Sequence, residues 1–129
     1  MSVWGYMRVS ADSQSTENQK LVISEYANKK GLTIDNFIEV KMSLTRSTKE
    51  RKIDELLDQI QEGDFLIVAE LSRLGGSVGQ IAILIDQLIK RKVRVVCLKE
   101  SINLNGKKDI QNEVISMFRP QHLLMDVQS

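Results

Sequence analysis

The stretch "DFLIVAEL" at 64–71 limits the fold more than any other part of the chain. A strand with one wet face alternates apolar and polar residues, whereas this one is apolar almost throughout. Such a run belongs to a central parallel strand covered on both faces. "VRVVCLKE" at 93–100 reads as a second buried strand. Parallel neighbours need a crossover between them, and the sequence between these two has the period of a helix.

The rest of the chain keeps that alternation. "VWGYMRV" (3–9) reads as a first strand, followed by a helix from about Ser15 to Lys30. Val22, Ile23, Tyr26 and Ala27 form its expected apolar face, and Gly31 its stop. "TIDNFIEV" (33–40) alternates as a half-buried strand does. In "STKERKIDELLDQIQEG", Ser47 and Glu50 suggest a capping box, with Ile53, Leu56, Leu57 and Ile60 along one helical face. "SVGQIAILIDQLIKRK" opens on a second box, Ser77 and Gln80. Its stripe is Val78, Ile81, Ala82, Ile85, Leu88 and Ile89. After a loop, "SINLNGKK", a last helix is expected from near Asp109 until Pro120 breaks it. The expectation is one α/β domain: a mainly parallel sheet of four to five strands with helices on both faces. The active site of such a sheet lies beyond the carboxyl ends of its strands.

Composition narrows the function classes. With 129 residues, 42% of them hydrophobic, the chain can bury one real core. Eighteen basic residues against 17 acidic leave a net charge of +1, too little for a global field toward nucleic acid. Any anion site must be a local cluster. One cysteine, Cys97, excludes an internal disulfide, and its place in "VRVVCL" suggests a buried thiol in a reducing compartment. No secretion signal is read at the start, and no apolar run approaches the roughly 20 residues that cross a bilayer. A soluble, cytoplasmic protein without membrane association is expected. The only histidine, His122, lies far from any motif, so neither a Ser-His-Asp triad nor a metal site is available; no cofactor is expected.

The strand ends carry the chemistry. The first delivers Arg8 and Ser10, and the third delivers Glu70, Ser72 and Arg73. The second leads into "KMSLTRSTKER", with Lys41, Ser43, Arg46 and Arg51 near its exit. Guanidinium holds phosphate oxygens in a matching fork and stays charged at any working pH. A serine among arginines is suited to attack a phosphodiester, because the arginines neutralise charge growing on the non-bridging oxygens. Taken singly, each arginine is also what a solvated loop carries, and a serine here could simply cap a helix. The basic run "KRKVR" (90–94) reads as a solvated helix end. A phosphate-accepting receiver domain shares the strand–helix order. It needs acidic residues after the first strand and an aspartate ending the third, and "RVS" and "AELSR" supply neither.

"GYMRVSADSQSTENQ", "TRSTKERKIDELL" and "EGDFLIVAELSRLGGS", in this order, resemble the catalytic domain of the serine site-specific recombinases, the resolvase/invertase family. The resemblance runs from residue 1 to about 118, a resolvase-like catalytic domain (1–118) followed by a tail (119–129) that does not match. It implies that a serine after the first strand attacks a DNA phosphodiester, forming a 5′-phosphoserine link while a 3′ hydroxyl leaves. Subunits that dimerise and pair into a tetramer then exchange strands by rotation, and rejoining reverses the attack, without metal or nucleotide. By this resemblance Ser10 is the nucleophile, and Arg8, Arg51 and Arg73 contact the scissile phosphate. Tyr6, Gln14, Gln19 and Ser43 fall on supporting polar positions. DNA, through its backbone phosphates, is the implied partner.

Three departures qualify those expectations. Ser72 stands where the family's "LDRLGR" has an aspartate that orients an arginine, and its hydroxyl is expected to take over part of that bond. Gly76 stands where the family has a further active-site arginine. The end, "RPQHLLMDVQS", does not continue the helix that forms the family's dimer interface, nor lead to a helix-turn-helix. The expectation is an interrupted, frame-shifted or selected short form, a monomer as readily as a dimer. It is either an impaired recombinase or a non-catalytic remnant that interacts with a full-length relative.

Overall fold

Alternation along β1 (Val3–Val9) divides its side chains between two cores. Val3, Met7 and Val9 join Ile23 and Ala27 of α1 (Ser13–Lys29) in one. Trp4 and Tyr6 join the other, with Leu56 and Leu57 of α2 (Arg46–Gln59) and Ile81, Leu84, Ile85 and Leu88 of α3 (Val78–Lys90). One strand therefore carries a helical layer on each face, as the expected architecture requires. The coordinates are a computed structural model that describes residues 1–10 and 13–104.

The remaining strands are β2 (Asn36–Lys41), β3 (Phe65–Val68), β4 (Arg94–Cys97) and β5 (Ile102–Leu104). They form one five-stranded sheet in the order β2-β1-β3-β4-β5. The first four are parallel, and β5 runs antiparallel to β4. The chain steps from β1 outward to β2, then crosses back over β1 to reach β3. The strand order therefore reverses between β1 and β3, and in open α/β sheets such a reversal opens a crevice beyond the strands' carboxyl ends. Arg8 and Ser10 leave β1 there, and Glu70 to Arg73 follow β3.

Several local expectations give way. The apolar run 64–71 is strand only over Phe65–Val68, because Leu71–Leu74 coils into a 3-10 turn that buries Leu71 and Leu74. An apolar run alone does not distinguish a strand from a short helical turn. "SINLNGKK" is not all loop, since its residues 102–104 pair with β4. At α2 the N-cap is Thr45, whose hydroxyl accepts from Thr48 N at 3.3 Å. Ser47 lies inside that helix, and Glu50 pairs with Arg46 instead (3.1 Å). Thr45 offers the same capping oxygen two residues earlier, so the helix starts there. At α3 the expected cap forms: Ser77 accepts from Gln80 N (3.2 Å). The Gln80 side chain reaches one residue further back than a standard box, accepting from Gly76 N (2.9 Å). Val22 and Val78, placed on apolar faces by spacing, are exposed.

Gly31 ends α1 as expected. At φ +69° its N–H donates to Asn28 O (3.1 Å), and Leu32 N donates to Ala27 O (2.8 Å), the double closure of a Schellman motif. Cys97 is fully buried, which pushes its thiol up to about 12, with Glu100 adding to the rise. No helix among the described residues is long and apolar enough to cross a membrane. The expected last helix from Asp109, Pro120 and His122 lie outside the described residues.

Candidate active site

β1 presents the first part of the site, and α1 secures it. β3 is paired with β1 only as far as Tyr6, so the backbone of Arg8 extends beyond that ladder. Gln19, buried at 4% exposure, supplies the missing partner. Its Oε1 accepts from Arg8 N (3.3 Å), and its Nε2 donates to Arg8 O (3.1 Å). The amide thus stands in for the peptide of an adjoining strand and satisfies groups that are costly to leave unpaired. The same Nε2 reaches Ser15 O (3.3 Å) and Ser15 Oγ (3.2 Å), tying α1's first turn to the end of β1.

Two clefts open at this edge. The larger, ≈ 590 Å³, lies between α2 and the start of α3. Tyr6 and Arg8 line it from the sheet, Arg46 and Lys49 from α2, and Gly76 and Gln80 from the opposite wall. Tyr6 is 1% exposed, and burial pushes its phenol up to about 12, against a smaller opposing pull from Arg8. It is therefore a neutral hydroxyl at neutral pH. The Arg8 guanidinium reaches across the cleft: its Nη2 lies 3.3 Å from where a Cβ on Gly76 would stand, and Gln80 Oε1 lies 3.2 Å from that point. Both are tips of flexible side chains, so a side chain at 76 needs only a small shift of Arg8 and Gln80. The second cleft, ≈ 500 Å³, is lined by Ser10 and Ser43 together with Glu17, Glu39 and Lys41.

Arg73 stands apart from both clefts, in the 3-10 turn after β3. Its Nε lies 3.1 Å from Glu70 Oε1, and it is buried without an aligned hydrogen bond. Glu70 also accepts from Ser72 Oγ (3.0 Å) and pairs with Lys99 (3.4 Å). Burial raises the Glu70 carboxyl, but the Ser72 and Lys99 hydrogen bonds and the charges of Arg73 and Lys99 outweigh it and leave it below the usual glutamate range. The expectation is that Ser72 takes over part of an aspartate's hydrogen bond to an arginine. Its hydroxyl turns to Glu70 instead, because the carboxylate is the strongest acceptor in reach.

The structure thus brings Tyr6 with Arg8, Ser10 with Ser43, and Arg73 with Ser72. Gln19 supports Arg8 from behind. Gln14 is exposed in α1's first turn. Arg51 is exposed on α2 and lines neither cleft. Sequence reading gave no role to Glu70, Lys49 or Lys99. The signal for Glu70 was its place two residues before Ser72 at a strand end. For Lys49 there was none, since the cleft it lines is formed by α2 meeting the start of α3 in space.

Fold and edge together define an α/β domain that presents a serine and arginines where its strand order reverses. The Resolvase, N terminal domain family matches residues 3–120, and the chain belongs to it. Among curated proteins, the Transposon Tn2501 resolvase of Escherichia coli is 37% identical over 97 residues, covering 74% of this chain and 49% of that protein. The serine recombinase PinR of Escherichia coli (strain K12) is 35% identical over 97 residues, 74% of this chain and 48% of the relative. This chain therefore spans about half the length of the curated relatives it matches. Among solved structures, the N-terminal catalytic domain of TP901-1 integrase superposes with a TM-score of 0.67 at 21% identity, over all of both chains. A resolvase family site-specific recombinase from Streptococcus pneumoniae gives 0.69 at 19% identity, over 99% of this chain and 92% of that one. The five-stranded, mostly parallel fold is the one these catalytic domains share.

Proposed function

We propose that this domain, taken as residues 1–118, cleaves and rejoins DNA strands, with Ser10 as the nucleophile. The observation that carries this reading is the end of β1. Ser10 emerges at the reversal of strand order, two residues beyond an Arg8 whose backbone is clamped on both its N–H and its C=O by Gln19. In the forward step Ser10 Oγ forms a bond to phosphorus and the P–O3′ bond breaks. The serine's proton is balanced by the one the leaving 3′ oxygen acquires. Rejoining is the reverse, attack by that 3′ hydroxyl on the phosphoserine. A serine hydroxyl is a weak nucleophile unless its alkoxide is stabilised, and we assign that role to Arg8, which lines the neighbouring cleft, and to Arg51 and Arg73, which stand outside both clefts and would have to turn toward the bound phosphate. Tyr6 serves as a neutral hydrogen-bonding group, its pKa of about 12 unsuited to a base at neutral pH. Gln14 and Ser43 support the DNA side of the site. Family membership supports oligomers acting on DNA, and the absence of a spanning helix among the described residues agrees with a cytoplasmic enzyme.

Gly76 sets the expected rate. Removing one donor to a developing oxyanion costs about 2–4 kcal/mol, roughly a hundredfold to a thousandfold in rate. A second reading, a non-catalytic module that associates with a full-length recombinase, draws on Gly76 and on the exposed Arg51 outside both clefts. One experiment separates the two. The chain is joined to a zinc-finger array through a family-type interface helix and offered supercoiled DNA with matching sites. A covalent protein–DNA band on a denaturing gel is expected, faint in the parent, stronger with Gly76→Arg, and absent with Ser10→Ala. No band in any version, while a related catalytic domain in the same fusion cuts, leaves the second reading.

A further inference from the structure

The carboxylate that a relative would place at position 72 is not missing from this chain, because Glu70 occupies its surroundings. Resting on the recombinase reading above, we propose that Glu70 is the positioning residue for Arg73, fixing its guanidinium in the turn that follows β3. The geometry that carries this is local and closed on three sides. Glu70 Oε1 lies 3.1 Å from Arg73 Nε and accepts from Ser72 Oγ at 3.0 Å, while Oε2 pairs with Lys99 Nζ at 3.4 Å.

The backbone under this cluster is pinned from β4. Leu98 N donates to Val68 O (3.0 Å) and Lys99 N to Ala69 O (2.9 Å), so the segment after β4 runs beside the segment after β3. Glu100 accepts from Leu71 N (3.1 Å) and fixes the start of the 3-10 turn that carries Ser72 and Arg73. Glu70 itself has an extended backbone (φ −152°, ψ 153°) at that turn's N-cap, so its side chain leaves from the same point as the turn it holds.

Arg73's side chain is 34% exposed although its Nε is buried, so its accessible part lies elsewhere on the side chain. The guanidinium is planar by resonance, so with its Nε edge turned to the Glu70 carboxylate its two terminal nitrogens form the fork that fits a phosphate. Ser72 donates to the same Oε1 that faces Arg73 Nε, so the position without a carboxylate is the hydrogen-bond donor to the one that carries it.

The first arm of the test reads Arg73 in the 129-residue chain. Its Nε–H signal in nitrogen–proton NMR, assigned by its loss in Arg73→Lys, is followed from about pH 7 to about pH 3, across the ordinary glutamate range. The parent signal is expected to shift as Glu70 takes up a proton, and the Glu70→Gln signal to stay flat and differ from the parent at neutral pH. Coincident signals at neutral pH overturn the proposal. The second arm uses the zinc-finger fusion carrying Gly76→Arg. Glu70→Gln is expected to slow covalent adduct formation on the order of tenfold to a hundredfold, the range for a displaced group, with zinc-finger occupancy unchanged. Adding Ser72→Asp is expected to restore it to within about threefold. An unchanged rate, or a loss that Ser72→Asp does not restore, overturns the positioning role. If no fusion with Glu70 intact cuts, the recombinase reading fails instead, and the Nε signal still decides whether Glu70 holds Arg73.

Discussion

The two ends of the sheet use similar polar groups to opposite ends. At the amino end of the strands, Asp64 is 4% exposed and every contact it makes closes the fold. Its Oδ1 accepts from Ser2 N (2.8 Å), and its Oδ2 from Gln61 N (2.9 Å) and the Trp4 indole Nε1 (3.2 Å). Asp35 repeats the device on β2's side, accepting from Val3 N at 2.7 Å. At the carboxyl end, Ser10, Ser43 and Arg46 are exposed around open clefts. Polar groups that join strands to one another stabilise the fold. Those gathered where the strand order reverses are left in reach of a ligand.

Substitutions at the two ends should therefore have crossed effects. Ser10→Ala is expected to abolish the covalent DNA adduct while changing folding stability by no more than about 0.5 kcal/mol, as surface changes do. Urea denaturation alongside the gel checks both, and a large stability loss would erase the contrast. Asp64→Ala is the mirror image. It leaves the Trp4 N–H and two backbone N–H groups without their acceptor, for an expected loss of about 2–4 kcal/mol, read as a lower urea midpoint at unchanged slope. Between the ends, Gly5 faces Phe37 across the β1–β2 pair, and an added Cβ would stand 2.6 Å from two of its ring carbons. Gly5→Ala is expected to cost about 1–3 kcal/mol through overpacking; a neutral result would show that the ring swings away.

Acid should sharpen the same comparison. Burial raises the Asp64 carboxyl, but hydrogen bonds from Ser2, Gln61 and Trp4, with the chain's amino terminus, outweigh it and hold its pKa below the ordinary value. A depressed folded pKa contributes stability above the unfolded value of about 3.9 and loses it as pH falls through the folded one. Parent stability should therefore drop below about pH 4 more steeply than that of Asp64→Asn, measured by thermal melts across that range. The smallest effect is expected at Lys92, which takes the left-handed position (φ 61°) of α3's Schellman closure, where glycine is favoured. Lys92→Gly should raise stability by about 0.5–1 kcal/mol.

The location of much of the candidate site was legible because its residues sit at or near strand ends that periodicity locates. Arg8, Ser10 and Arg73 follow from where β1 and β3 stop, whatever the detail of packing. Arg51 shows the limit: its spacing in "TRSTKER" matched a motif, yet on α2 it lies exposed, away from both clefts. Glu70 was visible as a letter but not as a partner. Its three neighbours come from its own turn and from the segment after β4, and their meeting depends on pairing between elements far apart in sequence.

The sequence by itself determined the α/β alternation, the two buried central strands, the helix cap at Ser77, the stop at Gly31 and the family. Each of these rests on local period or composition, or, for the family, on motifs recurring in order along the chain. Only the tertiary structure decided that β5 turns back against β4, that Gln19 completes the backbone of Arg8, that the tip of Arg8 lies beside Gly76, and that Glu70 rather than Ser72 faces Arg73. The first three are contacts between elements, and the last is made within a turn whose course is pinned by the segment after β4. Hydrogen-bond partners and close approaches are set by which strands adjoin and how far each is paired, and no single segment carries that information.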